Sequence, residues 1–372
     1  MKNVAIVIPF YKEQLNNNEC ISLEQCRRVL YKYDLYLLVP DNMEVEIENG
    51  ENVLYVDKKN LDSRKTYSDY VLSQEFYSIF KDYEFILIYQ LDSFVFEDRL
   101  EYFCNMDFDY IGAEWLYGLE CHTDEGMLWY FGNGGFSLRR VSSFLNWIRD
   151  EQDTIEYYKM LLPEDLVIAI YGKKHLKIAG RDVARQFSFD MYPKECYQEA
   201  GERLPFGCHA WHRFDREFWA KIIQSYGYNV EVSHEYDFDT KLLSSGKERT
   251  ERLSQFFSKD KIESCLKNLL ADYKDELYVF GAGQCGFSFV NMTKGTNVKV
   301  INVLDNDASK AGLHLEGIEI VSVEDALKTK RAPILIAVLN PEPIENQLNE
   351  YGLKKNIDYI FSRDLQNEMC KC

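Results

Sequence analysis

The chain has 372 residues, of which 46% are hydrophobic and 28% charged, with a formal net charge of -18 at pH 7. At ~100–200 residues per domain this length suggests two domains, and the composition excludes collagenous, low-complexity and wholly disordered chains. The acidity argues against nucleic acid and against polybasic attachment to anionic lipid.

Met1 to Pro9 contains one short apolar run, Val4-Ala5-Ile6-Val7-Ile8, stopped by proline. It reads as a strand buried on both faces, not as a signal peptide. Asn18 to Tyr31 is periodic and reads as a helix. Asp34 to Pro40 and Asn52 to Val56 read as strands, Ser68 to Phe80 as a helix, and Glu84 to Asp92 as a strand running into an acid. Such alternation predicts an α/β layer with a mainly parallel sheet. The stretch from Asp237 to Asp272 is polar, but Ile262, Cys265, Leu266, Leu269 and Leu270 recur at helical spacing. It reads as a helical connector. Strands follow at Glu276 to Phe280, Val298 to Leu304 and Pro333 to Val338, as in a second, smaller α/β unit. No run approaches the ~18–20 apolar residues of a membrane span. The ten cysteines include no CxxC pair and read as reduced cytosolic thiols. Cys370-Lys371-Cys372 reads as a frayed tail.

Four places carry candidate chemistry. Asp92 ends a buried strand, where open α/β sheets bind ligands, and its carboxylate suits a hard divalent cation. Gly132-Asn133-Gly134-Gly135 lets backbone approach a ligand closely, or makes a tight hairpin. Glu164 and Asp165 follow Pro163 and open an apolar helix. They serve as helix caps or as a general base, and the helix dipole favours ionised carboxylates there. His209 and His212 are spaced to share one helical face. No further ligand lies at zinc spacing, so a mixed oxygen and nitrogen site for Mn²⁺ or Mg²⁺ is the metal reading.

Taken in order, these signals resemble the GT-A glycosyltransferases, whose members carry a strand-end DxD motif, a glycine loop, an acidic base motif and a late metal-binding histidine. The segments Tyr89-Gln90-Leu91-Asp92, Asp109-Tyr110-Ile111-Gly112-Ala113, Gly132 to Ser137 and Pro205 to His209 are similar to those of an uncharacterised bacterial family of glycosyltransferase-like proteins. The resemblance covers roughly residues 1–235. It implies a GT-A (Rossmann-like nucleotide-diphospho-sugar transferase) domain over 1–240; the residues beyond it read as a helical connector over 241–272 and a small Rossmann-like nucleotide-binding-type domain over 273–372, so the whole chain is expected to be α/β. The resemblance implies sugar transfer from a nucleotide-sugar donor, such as a UDP-sugar, to a hydroxyl of a glycan, glycolipid or glycoprotein in bacterial surface-polysaccharide or glycoconjugate synthesis.

The roles implied are these. Asp165 is the inverting base, and Glu164 orients the acceptor. Pro9, Tyr11, Gln90, Asp92, Gly134 and Gly135 bind the donor, with the loop amides stabilising the leaving diphosphate. Asp92 and His209 hold Mn²⁺ or Mg²⁺, and Trp115 and Trp211 offer faces to the acceptor sugar. Gln90 departs from the pattern, since a neutral amide stands where the first acid of DxD belongs and is a poor metal ligand.

In the second unit, Gly281, Gly283 and Gly286 follow a strand and open a helix, with Asp305 ending the next strand. That is the context of a dinucleotide fingerprint, and it also suits a structural or docking role. A cytoplasmic location is expected, with a peripheral place on the inner face of the membrane as the variant. Any assembly is expected as a homo-oligomer or by docking to other glycan-synthesis enzymes through the C-terminal domain. Two other classes stand beside this reading: an NAD-dependent sugar-modifying oxidoreductase built on the second unit, and a non-catalytic nucleotide-sugar-binding protein.

Overall fold

The computed structural model describes residues 2–45, 47, 50–230, 247–248, 250–271 and 273–369. Residues 237–246, 249 and 272 of the expected connector, and the expected frayed tail Cys370-Lys371-Cys372, lie outside the described residues. Two compact units are present: Met1–Gly118 with Trp129–Lys159 and Pro163–Gly246, and Leu119–Leu128 with Met160–Leu162 and Lys247–Cys372.

In the first unit the strands are β1 (Lys2–Pro9), β2 (Asp34–Pro40), β3 (Asn52–Val56), β4 (Tyr83–Tyr89), β5 (Phe94–Val95), β6 (Tyr110–Ile111), β7 (Glu114–Thr123), β8 (Gly126–Phe131), β9 (Phe136–Arg140), β10 (Ser188–Phe189) and β11 (Gly207–Cys208). β7 and β8 pair with each other, and their ends fall in the second unit. The main sheet runs β3-β2-β1-β4-β9-β6. β3, β2, β1 and β4 are parallel, and β9 runs antiparallel to both neighbours. β1 sits between β2 and β4, so its β-branched run is buried on both faces. Val4, Ile6 and Ile8 join Leu37, Val39, Leu87 and Phe136 in one core cluster. Each such side chain contributes ~1.5–3 kcal/mol on burial.

Helix Asn17–Val29 begins at a capping box in which Asn16 and Glu19 satisfy each other's backbone N–H groups. The single helix expected over Ser68 to Phe80 is instead two, Arg64–Tyr70 and Gln74–Ile79. The break is local: the Ser73 hydroxyl accepts from the Phe76 N–H at 3.1 Å and starts a new helix.

In the second unit the strands are β12 (Glu276–Phe280), β13 (Lys299–Leu304), β14 (His314–Leu315), β15 (Ile318–Val321), β16 (Ile334–Ile336) and β17 (Tyr359–Phe361), ordered β14-β15-β13-β12-β16-β17. All pairings are parallel except that of β14. The amphipathic helix of the expected connector, Ile262–Leu269, belongs to this unit and packs against helix Ser362–Met369. Among the described residues no helix is long and apolar enough to cross a membrane.

Candidate functional site

The carboxyl ends of β1 and β4 lie side by side, with Val7 opposite Ile88. Beyond β4 the chain continues as Gln90-Leu91-Asp92, and beyond β11 it gives His209. These segments meet. His209 Nε2 is 3.2 Å from Asp92 Oδ1 and 3.2 Å from Gln90 Oε1. On the other side of the ring, His209 Nδ1 is 3.2 Å from Asp190 Oδ1. Asp190 follows β10 directly, and β10 pairs with β11, so the two short strands fix this contact.

Charge explains the protonation states. Burial alone pulls the His209 imidazole down, but the Asp92 and Asp190 carboxylates outweigh it and raise its pKa to about 10. Burial pushes the Asp92 carboxyl up, yet His209 wins and lowers it to about 2. His209 and His212 do not share a helical face, because Cys208 ends a strand and Ala210 adopts a left-handed conformation, φ 52°.

The glycine loop seats the site. The Gly135 carbonyl accepts from the Gln90 N–H at 2.9 Å. The Tyr110 hydroxyl lies 2.7 Å from the carbonyl oxygens of Gly132 and Asn133. The Asn133 side chain donates to Asp190 Oδ2 at 2.9 Å and accepts from the Gly135 N–H at 3.0 Å. The Gly135 amide is thus already used inside the loop, which removes it from the expected set of anion-binding amides. Glycine is required here by close approach. A Cβ on Gly134 would fall on Glu164 Oε1, and a Cβ on Gly135 would fall on the His209 ring, both well inside van der Waals contact.

Glu164 and Asp165 open helix Glu164–Ile170. The Glu164 N–H donates to Ser68 Oγ at 2.7 Å, and the Glu164 carboxylate lies 3.4 Å from the guanidinium of Arg139, which is wholly buried. Asp165 behaves opposite to the helix-dipole expectation. Burial, and then the neighbouring Glu164 carboxylate, raise its pKa to about 8. Desolvation exceeds the dipole because the charged form has lost its water.

The remaining expected residues divide. Pro9 is buried at the end of β1, and Tyr11 is exposed on the loop after it. Trp115 (3% exposed) and Trp211 (0%) are core residues. Trp211 packs in a cluster with Trp219, so neither offers a face to a sugar, and the platform expectation is corrected. In the second unit, Gly281 (φ +116°) turns the chain and its carbonyl lies against Gly286. Gly283 faces open space. Asp305 already accepts from the Ala282 N–H at 2.8 Å, Lys310 Nζ at 3.2 Å and the Asp307 N–H at 2.9 Å. Three of the roughly four acceptor positions of its carboxylate are thus used within its own loop.

Asp190, Arg139 and Asn133 are the site residues that sequence reasoning missed. Asn133 lay within the glycine run as a visible signal. Asp190 had none beyond following a two-residue strand.

Among the described residues, no group of three or more His, Cys, Asp and Glu side chains is arranged to hold a metal ion. Asp92 and His209 nonetheless make two adjacent donors, with the weaker Gln90 oxygen beside them. Ligands bound at ~2.0–2.2 Å to one small divalent ion stand ~3 Å apart. Asp92 Oδ1 is buried and, apart from its ion pair with His209, accepts no hydrogen bond. Asp190 on Nδ1 directs Nε2 toward this position.

Residues 51–209 match a family described as "Protein of unknown function (DUF5672)", a span that includes both Asp92 and His209. No curated protein matches the chain. Similar solved structures include the galactosyltransferase LgtC in complex with donor and acceptor sugar analogs, at 13% identity over 63% of this chain and 99% of that one, TM-score 0.39. The apo-form glycosyltransferase GlyE of Streptococcus pneumoniae is similar at 12% identity over 94% and 100%, TM-score 0.39. A glycosyltransferase involved in glycosylation of the major capsid of PBCV-1 is similar at 11% over 60% and 99%, TM-score 0.36. These neighbours are glycosyltransferases, and at such scores nothing of their activity is transferred to this chain.

Proposed function

We propose that the first unit is a nucleotide-sugar glycosyltransferase that moves a sugar to a hydroxyl of a glycan, glycolipid or glycoprotein acceptor with inversion. The observation that carries this reading is the convergence of Asp92 and His209, far apart in sequence, at 3.2 Å on the carboxyl edge of the sheet, with Gly135 against the His209 ring and its neighbour Gly134 against Glu164. An open α/β sheet binds its ligand at that edge.

Asp92 and His209, with the Gln90 oxygen beside them, are the residues that would hold Mn²⁺ or Mg²⁺. A divalent ion bound there supplies positive charge to a departing diphosphate. Asp190 keeps the His209 ring oriented by taking its Nδ1 side. Asp165 takes the proton of the acceptor hydroxyl as that oxygen attacks the anomeric carbon and the bond to the diphosphate breaks. Its raised pKa makes it a stronger base than an exposed carboxylate, at the cost of being mostly protonated below about pH 8. Glu164, pinned by Ser68 and Arg139, orients the acceptor. For the second unit, the hydrogen bonds of Asp305 to its own loop favour a docking or structural role over a nucleotide site.

Asp92→Ala and His209→Ala are each expected to abolish Mn²⁺-dependent thermal stabilisation by nucleotide sugars. Far-UV circular dichroism should remain that of the wild type. Variants that keep the Mn²⁺-dependent shift would refute this assignment of the site.

A further inference from the structure

A donor diphosphate brings negative charge to an edge that already holds Asp92, Asp190 and Glu164. The cations within that cluster are His209, clasped between two carboxylates, and Arg139, which is wholly buried against Glu164. Gln90 adds no charge. Beside a divalent ion held by Asp92 and His209, an accessible side-chain cation would meet the remaining phosphate oxygens.

Lys12 meets this need. It stands three residues beyond the end of β1, as Asp92 stands three beyond the end of β4. The two strands are hydrogen-bonded neighbours in step. The Lys12 ammonium pairs with Glu19 Oε1, while Glu19 Oε2 accepts from the Asn16 N–H at 2.9 Å. Glu19 is therefore fixed by its capping box and holds the lysine at the edge of the site. The Lys12 side chain is 42% exposed against 10% for Glu19, so the ammonium keeps an open side. Its Nζ also lies 5.6 Å from the centre of the exposed Tyr11 ring. The hydrogen bond to Glu19 raises the Lys12 pKa most, and Asp92 adds to it through its charge. An ammonium is a compact point charge with three donors, which suits phosphate oxygens. An ion pair with one partner this exposed contributes little to folding, so the lysine can change partner.

We propose that Lys12 binds the diphosphate of the nucleotide-sugar donor, with Glu19 holding it ready until the donor arrives. This rests on the glycosyltransferase reading above.

The test is calorimetric titration of the full chain with UDP, GDP and inorganic pyrophosphate, each with and without Mn²⁺. Lys12→Met should weaken diphosphate binding by about 10–100-fold, the range for a lost charged hydrogen bond. Lys12→Arg should retain most of the affinity. Glu19→Gln keeps a capping-box side chain but removes the competing carboxylate, so diphosphate affinity should hold or rise. If Lys12→Met binds as tightly as the wild type, Lys12 is only the partner of Glu19 and the proposal is overturned while the enzyme reading stands. If Glu19→Gln weakens binding as much as Lys12→Met, the pair acts as a structural unit and the proposal is likewise overturned. If the wild type binds none of the three probes, the nucleotide-sugar reading itself fails, and the role of Lys12 with it.

Discussion

Replacing Asp165 with Asn is expected to lower sugar transfer by ~10²–10⁴-fold, the usual loss for a positioned general base, while donor affinity stays near that of the wild type. The pH dependence gives a second readout. With a pKa near 8, the wild-type rate should rise with pH and level off above about pH 8. An exposed aspartate would level off near its ordinary value of 3.8. Stability runs the other way. The folded protein holds this proton between about pH 4 and pH 8 where the unfolded chain has released it, so ionising Asp165 costs stability as pH rises through that window. Asn mimics the neutral form, so the melting temperature of the variant should match or exceed that of the wild type at pH 8. A variant with near-normal turnover would reduce Asp165 to a helix cap. A product that keeps the donor's anomeric configuration would contradict inversion.

Adding one methyl group at Gly134 or Gly135 is expected to be nearly as damaging. The new Cβ at Gly134 takes the place of Glu164 Oε1, and that at Gly135 takes the place of the His209 ring. Neither neighbour can step aside freely. The Glu164 carboxylate faces the buried Arg139 guanidinium while its backbone N–H is tied to Ser68, and His209 stands between two carboxylates. A displacement of ~1 Å at a reacting centre costs ~10²-fold in rate, and overpacking adds ~1–3 kcal/mol of destabilisation. Gly134→Ala should lose transfer and keep the Mn²⁺ response. Gly135→Ala should lose both, as read by the Mn²⁺-dependent thermal shift. If both variants transfer sugar like the wild type, the loop does not seat the site.

Much of the first unit was legible where one local signal dominates. The Val4 to Ile8 run with its proline stop, the strand Asp34 to Pro40 and the acid after β4 are written in consecutive residues. The glycine run was equally visible, since only close approach or a turn calls for so many glycines together. Ser68 to Phe80 misled because apolar periodicity continues across Ser73, while a single hydroxyl cap divides the helix. Asp190 was invisible because its role depends on the pairing of two very short strands, a long-range contact that no local pattern records. Trp115 and Trp211 were ambiguous, as an indole fills a core as readily as it lines a groove. The state of Asp165 was misjudged because the dipole can be read from sequence, whereas burial beside Glu164 cannot.

The most direct measurement of the central claim is release of nucleoside diphosphate from a panel of nucleotide sugars by the full-length chain, with and without Mn²⁺, in parallel with Asp92→Ala and Asp165→Asn. The account predicts slow release from at least one donor by the wild type, acceleration by Mn²⁺, and loss in both variants. Absence of release from every donor, or release that persists undiminished in both variants, would contradict it.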